Sequence, residues 1–106
     1  MSAWVYLAGA ILCEVTGTVA LRYTSGFTRP LPSLVVAVGY GLSFWLLSLT
    51  LKHLSLGITY AVWAGAGTAL VAAIGTLALG EPLSALKVLG VVLVIAGIVS
   101  LRLAGA

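Results

Sequence analysis

The sequence predicts an all-α membrane protein of four transmembrane helices, and three observations carry that expectation. Of its 106 residues, 62% are hydrophobic and only 7% are charged. The mean hydropathy of +1.27 lies outside the balance of a water-soluble domain. The apolar residues fall into four runs, near residues 3–21, 34–51, 58–79 and 85–103. Each run approaches the roughly 20 helical residues that cross a hydrocarbon layer about 30 Å thick. Residues 1–106 are accordingly read as a single four-helix transmembrane domain.

Each run has a physical reason to begin and end where it does. No Lys or Arg precedes or interrupts the first run, so it is read as a retained helix and not as a signal peptide. Between the first and second runs, Gly26 relaxes the backbone, Pro30 and Pro32 are expected to stop a helix, and Ser33 is available as an N-cap. Lys52, His53 and Gly57 separate the second run from the third. Gly80, Glu81 and Pro82 end the third, and Ser84 can cap the fourth.

The net charge of +3 comes from basic residues placed near helix ends: Arg22, Arg29, Lys52, Lys87 and Arg102. That placement suits membrane anchoring and argues against nucleic acid as a partner. With four crossings, Lys52 and Arg102 share one side while Arg22, Arg29 and Lys87 share the other. Two against three is almost no bias. A single orientation and a dual topology, in which oppositely inserted copies pair, therefore stand nearly even. The lone Cys13 is read as a small buried packing residue. Nothing in the sequence implies an enzyme, a cofactor or a metal, and no phosphate-binding Gly-x-x-x-x-Gly-Lys-Ser/Thr loop is present.

Glu14 is the one acidic residue inside any apolar run, since the other carboxylate, Glu81, lies in the third loop. An ionised carboxyl in hydrocarbon is costly, and such residues normally face a cavity and do chemistry. Either a proton or a cation relieves that cost. Competition between them for the same oxygens can couple proton entry to cation exit without ATP. The alternative is a protonated glutamic acid making an interhelical hydrogen bond.

Helical spacing places Leu7, Ala10, Gly17 and Thr18 on the stripe of Glu14, so small residues leave room beside the carboxyl. Tyr40 on the returning second helix comes out at nearly the same depth, and Ser43 shares its face. In the third run Tyr60, Trp63 and Gly67 follow i, i+3, i+7 spacing, which sets an aromatic pair beside a gap. Aromatic faces attract quaternary cations. Trp4 and Tyr6 fit an interfacial belt, and Tyr23, Phe44 and Trp45 are left lipid-facing or interfacial. Gly65 and Gly67 permit either a hinge or close helix packing. Four helices enclose little interior, so oligomerisation is expected. Gly90 and Gly97, seven residues apart on one face of the last helix, offer a contact for it.

At these residues the chain resembles the small multidrug resistance family over nearly its whole length. The resemblance rests on Gly9-Ala-Ile-Leu-Cys-Glu-Val-Thr-Gly-Thr18, on Ser25-Gly-Phe-Thr-Arg-Pro-Leu-Pro-Ser33, on the stretch 40–46, and on Gly57-Ile-Thr-Tyr-Ala-Val-Trp-Ala-Gly-Ala-Gly67. It implies an antiparallel dual-topology homodimer in the bacterial inner membrane, exchanging protons for cations at paired glutamates. Glu14 would be the shared proton and substrate site. Tyr40, Tyr60 and Trp63 would line the pocket with Ser43, Leu7, Ala10, Gly17 and Thr18, and Gly90 and Gly97 would lie at the dimer contact.

Within that family, Gly17-Thr18 looks like the branch exporting hydrophobic and quaternary ammonium cations, because the guanidinium branch resembles itself in carrying Trp at the place of Gly17. Arg22 stands where Lys is usual, and Gly80-Glu-Pro-Leu-Ser-Ala-Leu86 looks closer to the guanidinium branch. Guanidinium export is thus the alternative substrate class, and a heterodimer with a paired subunit the alternative assembly. A non-transporting proton-binding or assembly subunit is the alternative of a different kind.

Overall fold

The computed structural model describes residues 2–105. It contains helices α1 (Ala3–Leu21), α2 (Pro30–Thr50), α3 (Leu56–Ala78) and α4 (Ala85–Leu103). All four are long and apolar enough to cross a membrane, with mean hydropathies of 1.6, 1.7, 1.6 and 2.3. Many of their large apolar side chains face outward, among them Leu31, Phe44, Trp45, Leu77, Leu86 and Leu93. Such faces suit a lipid solvent, and a helix satisfies its own backbone there. The chain divides into two helical hairpins, Met1–Leu54 and Ser55–Ala106.

The second helix starts four residues before the expected 34, and the reason is chemical. The first amides of a helix have no intrahelical acceptor, so Pro30 at the first position sacrifices nothing and brings a helical φ with it. Proline also holds the residue before it extended, as Arg29 is at φ −93° and ψ 117°. Ser33 is therefore not the cap. It lies inside the helix, and its hydroxyl donates to the Arg29 carbonyl at 2.6 Å.

Before that start, the chain turns through three successive left-handed residues, Ser25, Gly26 and Phe27, at φ 48°, 70° and 65°. Thr24 anchors the turn. Its buried hydroxyl donates to the Leu21 carbonyl at 3.0 Å, and its own carbonyl accepts the amides of Thr28 and Arg29 at 3.0 and 3.1 Å.

Serine caps begin both helices of the second hairpin. The hydroxyl of Ser55 accepts the Ile58 amide at 3.3 Å, which draws Gly57 into the first turn of α3 instead of leaving it in the break. The hydroxyl of Ser84 accepts the Lys87 amide at 3.1 Å, as expected. Between these helices Gly80 adopts φ 72°, and the Glu81 amide donates to the Gly75 carbonyl at 2.9 Å. The Glu81 carboxylate lies over Gly75 and pairs with Lys87 at 3.6 Å.

In the first hairpin, α1 and α2 touch backbone to backbone. A Cβ on Gly39 would lie 2.8 Å from the Cys13 carbonyl oxygen and 3.2 Å from Gly17 Cα. Leu7, Ala10, Ile11, Val15 and Val36 form the buried core, and Cys13 itself is only half-buried. In the second hairpin α3 runs unbroken through Gly65 and Gly67. A Cβ on Gly65 would meet Ile98 Cδ1 at 2.6 Å, so this glycine admits the α4 side chain. No residue of α4 is buried, and open space surrounds the Cβ positions of Gly90 and Gly97.

The Gly39 contact yields a test. Backbone cannot yield as a flexible side chain can, so Gly39→Ala is expected to cost about 1–3 kcal/mol through overpacking. Gly41→Ala, where nothing lies within 4 Å, is expected to be neutral or to stabilise by up to about 1 kcal/mol through helix propensity. Reversible unfolding in detergent micelles, followed by circular dichroism, measures both, and equal stabilities would sink the assignment.

Candidate cation and proton site

Glu14 lies about two-thirds of the way along α1, and one helical turn later comes Thr18. The Thr18 hydroxyl donates to Glu14 Oε1 at 2.8 Å. The same hydroxyl oxygen lies 2.8 Å from the Tyr40 hydroxyl of α2. Matching depth therefore does bring Tyr40 to the carboxyl, but through a threonine. A carboxylate accepts only, and Thr18 has one hydroxyl hydrogen. With that hydrogen given to Glu14, the remaining bond runs from the Tyr40 hydroxyl to Thr18. All three side chains are half-buried.

The Tyr40 ring is held on two sides. A Cβ on Gly17 would lie 3.4 Å from its Cδ1 and Cε1, and the Phe44 ring stacks with it at 6.5 Å between centroids and 21° between planes. The space left by Gly17, expected as open pocket, is thus where α2 seats Tyr40. One turn along α2, buried Ser43 donates to the Ala10 carbonyl at 2.8 Å. In helical register that carbonyl is also the acceptor for the Glu14 amide. Ser43 thereby ties α2 to the backbone turn that carries the carboxyl. Leu7 and Ala10 are fully buried.

In the second hairpin the expected aromatic pair forms. Tyr60 and Trp63 meet edge to face, with centroids 5.8 Å apart and planes inclined by 63°. Tyr60 is exposed and Gly67 is buried. Sequence reasoning passed over Thr59, which is 2% exposed and whose hydroxyl has no hydrogen-bond partner among the described residues. Its spacing of four from Trp63 was the available signal.

An apolar cavity of about 410 Å³ in the first hairpin opens between Leu12, Cys13, Val35, Val38 and Leu42. It does not include Glu14. Among the described residues no group of three or more His, Cys, Asp or Glu side chains could hold a metal ion.

Comparison with known proteins agrees over the length of the chain. The description Small Multidrug Resistance protein matches residues 2–94. Quaternary ammonium compound-resistance protein QacF of Klebsiella aerogenes is 48% identical over 103 residues, which cover 97% of this chain and 94% of the relative. Multidrug resistance protein Mmr of Mycobacterium tuberculosis is 44% identical over 104 residues, 97% of each chain. The membrane protein YvaE of Bacillus subtilis is 47% identical over 100 residues, covering 94% of this chain and 84% of the relative. With four membrane-length helices and this similarity, the chain is a multi-pass bacterial membrane protein belonging to the Small Multidrug Resistance family.

Proposed function

We propose that this protein is a proton-coupled antiporter that exports hydrophobic and quaternary ammonium cations. The observation that carries the reading is the Glu14 carboxyl, set within a membrane-length helix and hydrogen-bonded by Thr18. Its support is the family membership, together with relatives named for resistance to multiple drugs and to quaternary ammonium compounds.

The mechanism follows from the cost of bare charge in hydrocarbon. An ionised Glu14 is relieved by a proton or by a cation, and the two compete for the same oxygens. A carrier that reorients readily only when so relieved returns with one after leaving with the other. A proton gradient then drives cations outward by alternating access. Tyr60 and Trp63 offer aromatic faces to a cation lacking N–H donors, and Tyr40 borders the carboxyl through Thr18. Gly65 and Gly67 serve as the flexible points of α3.

The functional unit in this proposal is an antiparallel homodimer of oppositely inserted copies, each a single four-helix domain. Nearly balanced Lys and Arg counts on the two sides support dual insertion. The bare α4 face at Gly90 and Gly97 supports a helix contact there.

Glu14→Gln should retain assembly but lose coupled transport. Solid-supported-membrane currents evoked by tetraphenylphosphonium should fall to background, and full proton-driven uptake by this variant would refute the mechanism. Guanidinium, applied to the unaltered protein in the same assay, should evoke the weaker current. Trp63→Ala should weaken tetraphenylphosphonium binding by between about 2- and 30-fold, the range of a cation–π contact worth about 0.5–2 kcal/mol. Unchanged affinity in calorimetry would remove Trp63 from cation binding. Cysteine labels at either terminus should react with impermeant reagents from both faces of the membrane; reaction from one face only would exclude dual topology.

A further inference from the structure

The chain from Tyr40 through Thr18 to Glu14 has a direction, and direction in a row of hydroxyls is set by whatever stands at its end. Both links measure 2.8 Å, and each hydroxyl has one hydrogen to give. With Glu14 ionised, Thr18 must donate to Oε1 and Tyr40 must donate to Thr18. The Tyr40 oxygen then turns its lone pairs away from Thr18.

We propose that Thr18 is a relay that reports the protonation state of Glu14 to Tyr40, reversing the phenol from hydrogen-bond donor to acceptor when the carboxyl takes up a proton. This inference rests on the proton exchange proposed for Glu14 and adds a positioning role that exchange alone does not require. A carboxylic O–H removed from water needs an acceptor, and Thr18 Oγ1 already stands at hydrogen-bond distance from Oε1. A proton arriving on Oε1 donates to Thr18. The threonine hydroxyl rotates to donate to the Tyr40 oxygen, and the phenol O–H rotates to point away. Each hydroxyl keeps its own hydrogen, so the only proton gained is the one on Glu14.

The consequence lies at Tyr40. In the ionised state a cation beside Tyr40 meets an acceptor oxygen whose lone pairs are strengthened by the donor chain behind it. In the protonated state it meets the hydrogen of the phenol. The same residue therefore favours a cation when Glu14 is charged and disfavours it when Glu14 is neutral. This sharpens the exchange beyond direct competition at the carboxyl. The ring cannot turn aside easily, because Gly17 and Phe44 hold it on two sides.

Ultraviolet resonance Raman spectroscopy of the full chain in liposomes tests the relay, since the tyrosine Fermi doublet distinguishes a phenol that donates from one that accepts. Subtracting the spectrum of Tyr40→Phe isolates Tyr40 from Tyr6, Tyr23 and Tyr60. The Tyr40 doublet should move from the donor toward the acceptor pattern as pH falls, in the unaltered protein and in Thr18→Ser. In Thr18→Val the shift should be lost, and tetraphenylphosphonium affinity at high pH should fall by about 2- to 10-fold, the equivalent of one net hydrogen bond. A doublet that ignores pH in the unaltered protein, as a proton held on Oε2 would leave it, overturns the relay. So does an undiminished shift in Thr18→Val. Proton release on tetraphenylphosphonium binding, read with an indicator dye, checks the underlying exchange separately. Release with a static Tyr40 doublet refutes the relay and leaves the exchange standing, whereas absence of release refutes both.

Discussion

The contact of Gly39 with the backbone of α1 is the constraint from which the first hairpin follows. Two helices carrying ordinary side chains keep their axes about 8–10 Å apart. Here a Cβ would collide with the Cys13 carbonyl, and Gly17 lies opposite. Only at such an approach do short side chains reach across. Thr18 has a hydroxyl on its β-carbon and still meets Tyr40 at 2.8 Å. Ser43, its hydroxyl likewise on the β-carbon, reaches the Ala10 carbonyl. The polar network around Glu14 is thus a product of missing side chains as much as of polar ones.

Most of the architecture was legible in the sequence, because membrane helices announce themselves by length and uniform apolarity. The ends of α1 and α4 and the Ser84 cap agree with expectation. The start of α2 does not, since Pro30 and Pro32 were read by their power to stop a helix, and at the first positions proline begins one instead. Gly57 was read as a break in the same manner, although Ser55 caps the helix just ahead of it. In both places the residue type was noticed and its position relative to the cap decided the outcome.

The site was legible in its members and not in its connections. Depth counting could bring Tyr40 level with Glu14, and i, i+4 spacing could place Thr18 on the same stripe. That Thr18 stands between them depends on how closely two helices pack, which one strand of sequence does not encode. Gly17 illustrates the same gap. Beside a carboxyl it reads as room, whereas its space is filled from the other helix by an aromatic ring. Thr59 stands one helical turn before Trp63, a spacing that residue type alone does not make conspicuous, yet it is the buried hydroxyl left unsatisfied among the described residues.

The proline-led start of α2 has a consequence for where that helix can sit. A helix ordinarily begins with four amides that lack intrahelical acceptors and need water or a side chain. In α2 two of these positions, Pro30 and Pro32, have no N–H at all, and the Ser33 amide donates to the Arg29 carbonyl at 3.2 Å. Leu31 alone retains an unbonded first-turn donor. Such an end has little need of hydration along its backbone, so the depth of the 21-residue helix is set instead by the Arg29 side chain just ahead of it, which holds that end at the interface.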